Sequence, residues 1–239
     1  MIIVSKLNRL MALGAALLTL TMSSQTMAAF VLNGTRFIYE EGKKNTSFEV
    51  TNKSEDTYGG QVWIDNTNQG SDIAYLIPVP PFFKVTPKGK QIVRIMRTDS
   101  ALPADRESLF WLNVQEIPPK PKDETEGGML AVAINTRVKL IYRPKSLVEG
   151  RKDAEKGMLI ARRNGETWLT NPTPYYFAVT AVKVNGKRVN LSEAVQDRLA
   201  QIAPKAEVSL GNMALNGAVS VEAVNDWGGM LDYSLKTEG

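Results

Sequence analysis

The 239-residue chain contains neither cysteine nor histidine. Without cysteine no disulfide forms, so stability has to come from ordinary apolar cores. The same absences remove the Ser–His–Asp and Cys–His nucleophile systems and the usual zinc ligand sets. There is no GxxxxGK[ST] loop either, which excludes a standard ATP-driven mechanism, and nothing in the sequence asks for a cofactor or a metal. Carboxylate-only glycoside hydrolysis survives these absences, because two Asp or Glu side chains suffice for it. Excess charge of one sign is small: the net +4 is spread along the chain with no basic stripe, so no nucleic-acid partner is expected.

Long apolar runs are scarce as well. Leu10–Leu20 (LMALGAALLTL) follows the basic Lys6 and Arg9 and precedes the small-residue stretch Thr26-Met27-Ala28-Ala29. That order reads as a secretory signal peptide, too short and wrongly flanked for a membrane span; a buried N-terminal helix is the alternative. Cleavage is expected after Ala28, with Ala29 the next best choice, and it removes Lys6 and Arg9 from the charge count. No later segment approaches the ~18 uninterrupted apolar residues of a span, so none is expected in the mature chain.

What the chain does have is short alternating runs broken by turn residues: Ser47–Thr51 (SFEVT), Gly60–Ile64 (GQVWI), Gln91–Met96 (QIVRIM) and Ser108–Val114 (SLFWLNV). Such runs indicate an antiparallel all-β sandwich or barrel. Asn185-Gly186 between the arms Val182–Val184 and Lys187–Val189 is the sharpest local signal, since a type I′ hairpin needs positive φ at both turn residues. The one plausible helical stretch, Ser192–Ile202, is weakly periodic and suggests a turn or two.

The β texture occurs twice, with about seven strand candidates in residues 30–143 and a similar set in 157–238. Between them lies Pro144–Lys156, charged and introduced by a proline, as a domain boundary would be. Its polar part, Val148–Lys156, is expected to carry no function. Two sandwiches of about 100 residues fit the length; we place them at 29–145 and 146–239, after a signal peptide at 1–28. Pro118–Gly128 reads as a solvated loop inside the first half.

Met129–Leu140 follows that loop. In a strand, Leu130, Val132 and Ile134 share one face, continued by Thr136 and Val138, while Ala131, Ala133, Asn135, Arg137 and Lys139 take the other. Periodicity alone also describes a strand buried in its own sandwich. An interaction strand would need a free edge, whose N–H and C=O groups can pair with another chain.

The run Asp105–Pro119 (DRESLFWLNVQEIPP) and the segment Lys139–Pro144 (KLIYRP) resemble signatures of the periplasmic pilus-assembly (fimbrial) chaperones of the chaperone–usher pathway. Asn171–Tyr176 (NPTPYY), Asn225–Gly229 (NDWGG) and Thr35-Arg36 fit the same family in the expected order. The resemblance covers essentially the whole mature chain. It implies two Ig-like β-sandwich domains in an L-shaped (boomerang) arrangement, in the periplasm, with no catalytic residues. It also implies a chaperone that binds, folds and caps pilus subunits by donor-strand complementation, without ATP, and delivers them to an outer-membrane usher.

In that family the last strand of the first domain completes a subunit that lacks one. Leu130, Val132 and Ile134, extended by Met129, match the apolar row; three buried aliphatics would give roughly 5–9 kcal/mol before ordering costs. Arg36 and Lys139 match the pair that anchors the subunit's C-terminal carboxylate and so fixes the register of pairing. Glu107, Arg143 and Asp226 match an ionic network between the domains, in which Arg143 is expected to keep both carboxylates ionised; that argues against Glu107 and Asp226 as a glycosidase pair, since a general acid needs a raised pKa. Pro78, Pro80, Pro81, Pro172 and Pro174 sit at turns where cis bonds can occur. The Trp and Tyr residues are expected in the cores rather than as stacking surfaces. An Ig-like extracytoplasmic adhesin or structural subunit is the rival reading; the motif at the end of the first half argues against it. The free protein would have to cover its apolar edge, and a self-capping dimer is one way.

Overall fold

The structure is a computed structural model that describes residues 28–70, 72–120 and 132–237. The signal-peptide reading, Met129 and Leu130 therefore lie outside the described residues. The first half carries β1 (Phe30–Leu32), β2 (Arg36–Glu40), β3 (Thr46–Asn52), β4 (Tyr58–Asn66), β5 (Leu76–Val79), β6 (Phe82–Val85), β7 (Lys90–Arg97), β8 (Ser108–Ile117) and β9 (Asn135–Arg143). The second carries β10 (Leu159–Arg163), β11 (Glu166–Thr170), β12 (Val179–Val184), β13 (Lys187–Arg188), α1 (Glu193–Leu199), β14 (Glu207–Ser209), β15 (Val219–Val224), β16 (Met230–Ser234) and β17 (Lys236–Thr237). Each half is a two-sheet sandwich, so the protein is all-β with two domains.

In the first domain one sheet runs β1-β3-β7-β5 and the other β2-β9-β8-β4-β6. Alternation explains the core: Phe48 and Val50, Val93 and Ile95, Val62, Leu112 and Val114, and Leu140 and Tyr142 all turn inward and are essentially inaccessible. The second domain pairs the sheets β14-β11-β10-β17 and β13-β12-β15-β16 around Ile160, Leu169, Val182 and Val221. Its β12–β13 hairpin turns on Asn185 (φ 49°) and Gly186 (φ 77°), the double positive φ that the Asn-Gly pair foretells. The helix falls within the expected stretch, and Val79–Pro80 is cis.

Strand β9 positions everything that follows. It pairs antiparallel with β8 along its length and parallel with β2 from Lys139 onward, with Arg36 opposite Lys139 and Glu40 opposite Arg143. This corrects the expected strand Met129–Leu140 in two ways. The regular strand begins at Asn135, and Val132–Ile134 precede it outside any strand. From Lys139 onward β9 is also an internal strand, because β1 and β2 are one segment that changes sheets: β1 pairs with β3, and after Asn33–Thr35 the chain crosses over to β9. Only the part of β9 before Lys139 is left as an edge.

A mixed interface joins the domains. Leu109 and Ile141, cross-strand partners on the outer face of the first domain, pack with Tyr176 of the second, flanked by Ile38 and Ala203. Adding a β-branched side chain at Gly186 should cost about 1–2 kcal/mol, because the left-handed turn would clash with a Cβ. Urea unfolding of Gly186→Val measures this, and an unchanged midpoint would mean the hairpin relaxes at no cost.

Candidate functional site

Between the domains lies a cleft of about 370 Å³ lined by Arg36 and Lys139 on one side and by Ala178, Thr180, Gln196, Asp197, Ala200 and Val224 on the other. The parallel β2–β9 pairing sets Arg36 and Lys139 side by side. Each cation already reaches across to a main-chain carbonyl of the second domain: Arg36 Nη1 donates to Val224 O (2.9 Å) and Lys139 Nζ to Ala200 O (2.6 Å). Neither has a carboxylate in an ion pair among the described residues, and Arg36 Nε is buried without a partner. Burial, with the Arg36 charge adding to it, pushes Lys139 down to about 8; burial is also what lowers Arg36. The Trp111 indole lies under both Lys139 and Arg137, 5.6 and 4.6 Å from its centroid. Two half-buried cations with spare donors make an anion site.

The edge leads directly to that pair. Glu116 N donates to Ile134 O (3.0 Å), so even-numbered residues of this run turn their backbone groups toward β8. Asn135 and Arg137 consequently turn their N–H and C=O toward the open side, which β2 does not reach. Just before them Val132 is 62% exposed and Ile134 39%. Thr136, Val138 and Leu140 face inward in the expected alternation, and Val138 packs on the core.

Glu107, Arg143 and Asp226 come together as a chain of ion pairs. Arg143 Nε meets Glu107 Oε1 at 2.6 Å and Arg143 Nη1 meets Asp226 Oδ2 at 2.7 Å. The other Glu107 oxygen accepts from Tyr176 N (2.7 Å), while Glu107 N donates to Pro174 O (2.9 Å). The NPTPYY segment is shaped for this by Asn171, whose buried amide donates to Tyr175 O and Ala203 O while its oxygen caps Thr173 N. At the β15–β16 tip Asn225 Oδ1 accepts from Trp227 N and Gly229 N. Gly228 (φ 84°) brings that tip against the first domain, where a Cβ would come within 2.7 Å of Thr35 Oγ1.

Three expectations need correcting. Val148–Lys156 is not idle: Arg151 and Glu155 are buried, pair at 2.7 and 2.9 Å, and Arg151 Nε lies 3.3 Å from Asp226 Oδ1. Their i, i+4 spacing was the available signal; the short 3-10 turns that bury them have none. The expectation that the Glu107 pKa is not raised also fails in direction: Arg143 and the Tyr176 N–H pull the carboxyl down as expected, but burial pushes it up by more. Glu107 is nonetheless 1% exposed with both oxygens committed, so it has no path to a substrate. Finally, Trp227 lies in no core: it is 95% exposed beside the crossover at Asn33–Phe37.

Two family models match, one described as the pili and flagellar-assembly chaperone N-terminal domain over residues 29–148, the other as the pili assembly chaperone C-terminal domain over 153–235. The chain belongs to the pilus-assembly chaperone family. Chaperone protein FanE of Escherichia coli is 47% identical over 90% of this chain and 93% of its own. Among solved structures, the periplasmic chaperone SfaE is 30% identical with a TM-score of 0.68, covering 87% of this chain and all of its own. The Salmonella enterica SafA pilin complex with the SafB chaperone gives a TM-score of 0.73 at 25% identity, covering 88% and 97%. No helix among the described residues is long and apolar enough to cross a membrane.

Two measurements probe the site's energetics in this family member. Arg143→Met leaves Glu107 buried without its cation and should cost about 3–5 kcal/mol in urea unfolding; a loss below about 1 kcal/mol would mean the network is not holding the domains. Lys139 behaves differently. Its folded pKa, about 8, lies below its ordinary 10.5, so it lowers stability fully below pH 8, and the cost fades as pH rises from about 8 to 10.5. Lys139→Met should therefore melt higher than the parent at pH 7, with the gap narrowing by pH 10. An equal or lower melting point at pH 7 would contradict the burial cost.

Proposed function

We propose that this pilus-assembly chaperone captures a subunit by seating its C-terminal carboxylate on Arg36 and Lys139 and pairing its last strand with the free edge before Lys139. The observation that carries the reading is the side-by-side setting of the two cations in the interdomain cleft, at the point where β2 stops covering β9. A carboxylate there gains charge-assisted bonds, and from that fixed end the chain can run along Arg137 and Asn135 by main-chain pairing. Val132 and Ile134, with Leu130 and Met129 before them, would fill the subunit's open groove. A one-residue slip would turn this row away, so anchor and row act together.

In this reading Glu107, Arg143 and Asp226, joined by Arg151 and Glu155, set the angle between a capture domain (29–145) and a second domain (146–239) that walls the cleft. The protein works as a binder rather than an enzyme, needs no ATP, and acts in the periplasm after removal of an N-terminal signal peptide. It hands its cargo to an outer-membrane usher, and when free it covers its apolar edge, a self-capping dimer being one form of cover. Support for the pilin partner comes from the SafA–SafB complex named above, whose chaperone shares the fold over most of both chains.

Arg36→Ala and Lys139→Ala should each lose capture of a pilin in periplasmic pull-downs while keeping the parent's circular dichroism; normal protection of the pilin by either variant would remove the anchor role. Val132→Asp and Ile134→Asp should weaken capture without lowering the melting temperature, because both residues are exposed. A large loss of stability would instead assign them to the protein's own core.

A further inference from the structure

The start of β9 is held through its main chain from one side. Its even-numbered residues bond to β8, and β2 reaches back no further than Lys139. A strand end held from one side ordinarily frays, and any chain pairing with it must then meet the cost of ordering it.

The side chains of this stretch stand in for the missing neighbour. Asn113 and Trp111 of β8 lie opposite Arg137 and Lys139 on one side, and opposite Trp63 and Asp65 of β4 on the other. Asn135 Nδ2 donates to Asn113 Oδ1 at 3.2 Å. Asn113 Nδ2 donates in turn to Asp65 Oδ2 at 2.9 Å and to Trp111 O at 3.2 Å. Asn113 is 2% exposed with both ends of its amide committed, which fixes its orientation. Arg137 stands over the Trp111 ring, and its Nη2 lies 3.8 Å from the same Asp65 oxygen. Lys139 stands over that ring as well. Each outward side chain of the open edge therefore ends on β8 or β4. Val62, Leu112, Val114 and Leu140 make the core from the opposite face of the sheet, so this lattice adds nothing to the core itself.

We propose that Asp65, Asn113 and Trp111 are positioning residues that hold the open edge of β9 extended before a subunit arrives, so that pairing meets a strand already ordered. The proposal rests on the edge reading above. It gives Asp65 a part in capture although β4 lies three strand spacings, about 14 Å, from a chain added beside β9. Removing the Asp65 acceptor leaves the buried Asn113 amide one bond short, and a net hydrogen bond is worth about fivefold in an equilibrium constant. Charge alone predicts the opposite sign. Taking an anion from the row that continues through Lys139 to Arg36 should tighten the hold on a carboxylate.

The test uses the full-length mature protein, an acetylated peptide of alternating Val and Thr with a free C-terminus, and heteronuclear NMR. Asp65→Ala should lower the exchange protection of the Thr136 and Val138 amides about fivefold and weaken the peptide by a similar factor. The amides of Val93 and Ile95, in the other sheet, should keep the parent's protection. Asp65→Asn, which retains an acceptor for Asn113, should match the parent in both respects; the side chain is 44% exposed, so the fold should tolerate either change. Unchanged protection in Asp65→Ala overturns the proposal whatever the peptide does. Lowered protection with unaltered peptide affinity overturns it too, because capture then makes no use of the order. Tighter peptide binding by both variants assigns Asp65 to electrostatics instead and leaves the edge reading standing. Peptide-induced shifts in the parent that avoid Asn135–Lys139 remove the edge reading, and the proposal with it.

Discussion

The arrangement depends on one side chain, Arg143, which is 4% exposed and holds a carboxylate of each domain on one guanidinium. Glu107 comes from the residue just before β8, the strand that pairs with β9, and Asp226 from a hairpin tip in the other sandwich. Burying three such groups is costly, and replacing them with apolar residues would often be neutral or better for stability alone. What the network does supply is orientation. A guanidinium presents its donors in a rigid plane, so satisfying both carboxylates at 2.6 and 2.7 Å fixes how the β15–β16 tip approaches the β1–β2 crossover. The cleft exists because of that fixed approach. Apolar contacts of Leu109 and Ile141 with Tyr176 add adhesion without much direction.

The cleft itself is built against stability. Two neighbouring cations are half-buried with main-chain carbonyl oxygens as their hydrogen-bond acceptors, and one guanidinium nitrogen has no hydrogen-bond partner. Folding tolerates this because the charges sit at an opening, with Trp111 beneath and water above. A ligand anion would relieve the repulsion between the cations and satisfy the orphaned donor.

Much of this was legible in the sequence, for reasons that differ by residue. Alternation put Thr136 and Val138 on one face of their strand and Arg137 and Lys139 on the other, and the Asn185-Gly186 pair announced its hairpin, because both signals are local. That Arg36 lies opposite Lys139 was not local. It depends on a parallel pairing across more than a hundred residues of intervening chain, and only family resemblance pointed to it. Arg151 and Glu155 were missed since their charges suggested a solvated linker, whereas the short turns after Pro144 fold them back onto Asp226. Trp227 was misjudged because an aromatic beside two glycines can be a core residue or a hairpin tip, and the choice is made by Asn225 capping the turn from below.

The change of sheets between β1 and β2 has a further meaning. Because β2 starts at Arg36, the covered and uncovered parts of β9 meet at Lys139, the residue proposed to carry the anchoring charge. The distance from Lys139 back to Asn135, where the regular strand begins, is then a fixed length of chain, roughly 13 Å at the usual rise of an extended strand. The crossover thus works as a calliper. Subunits of quite different sequence can be handled by one chaperone provided that each sets its groove at this same span from its last residue, so it is spacing, more than composition, that cargo of this fold would have to keep.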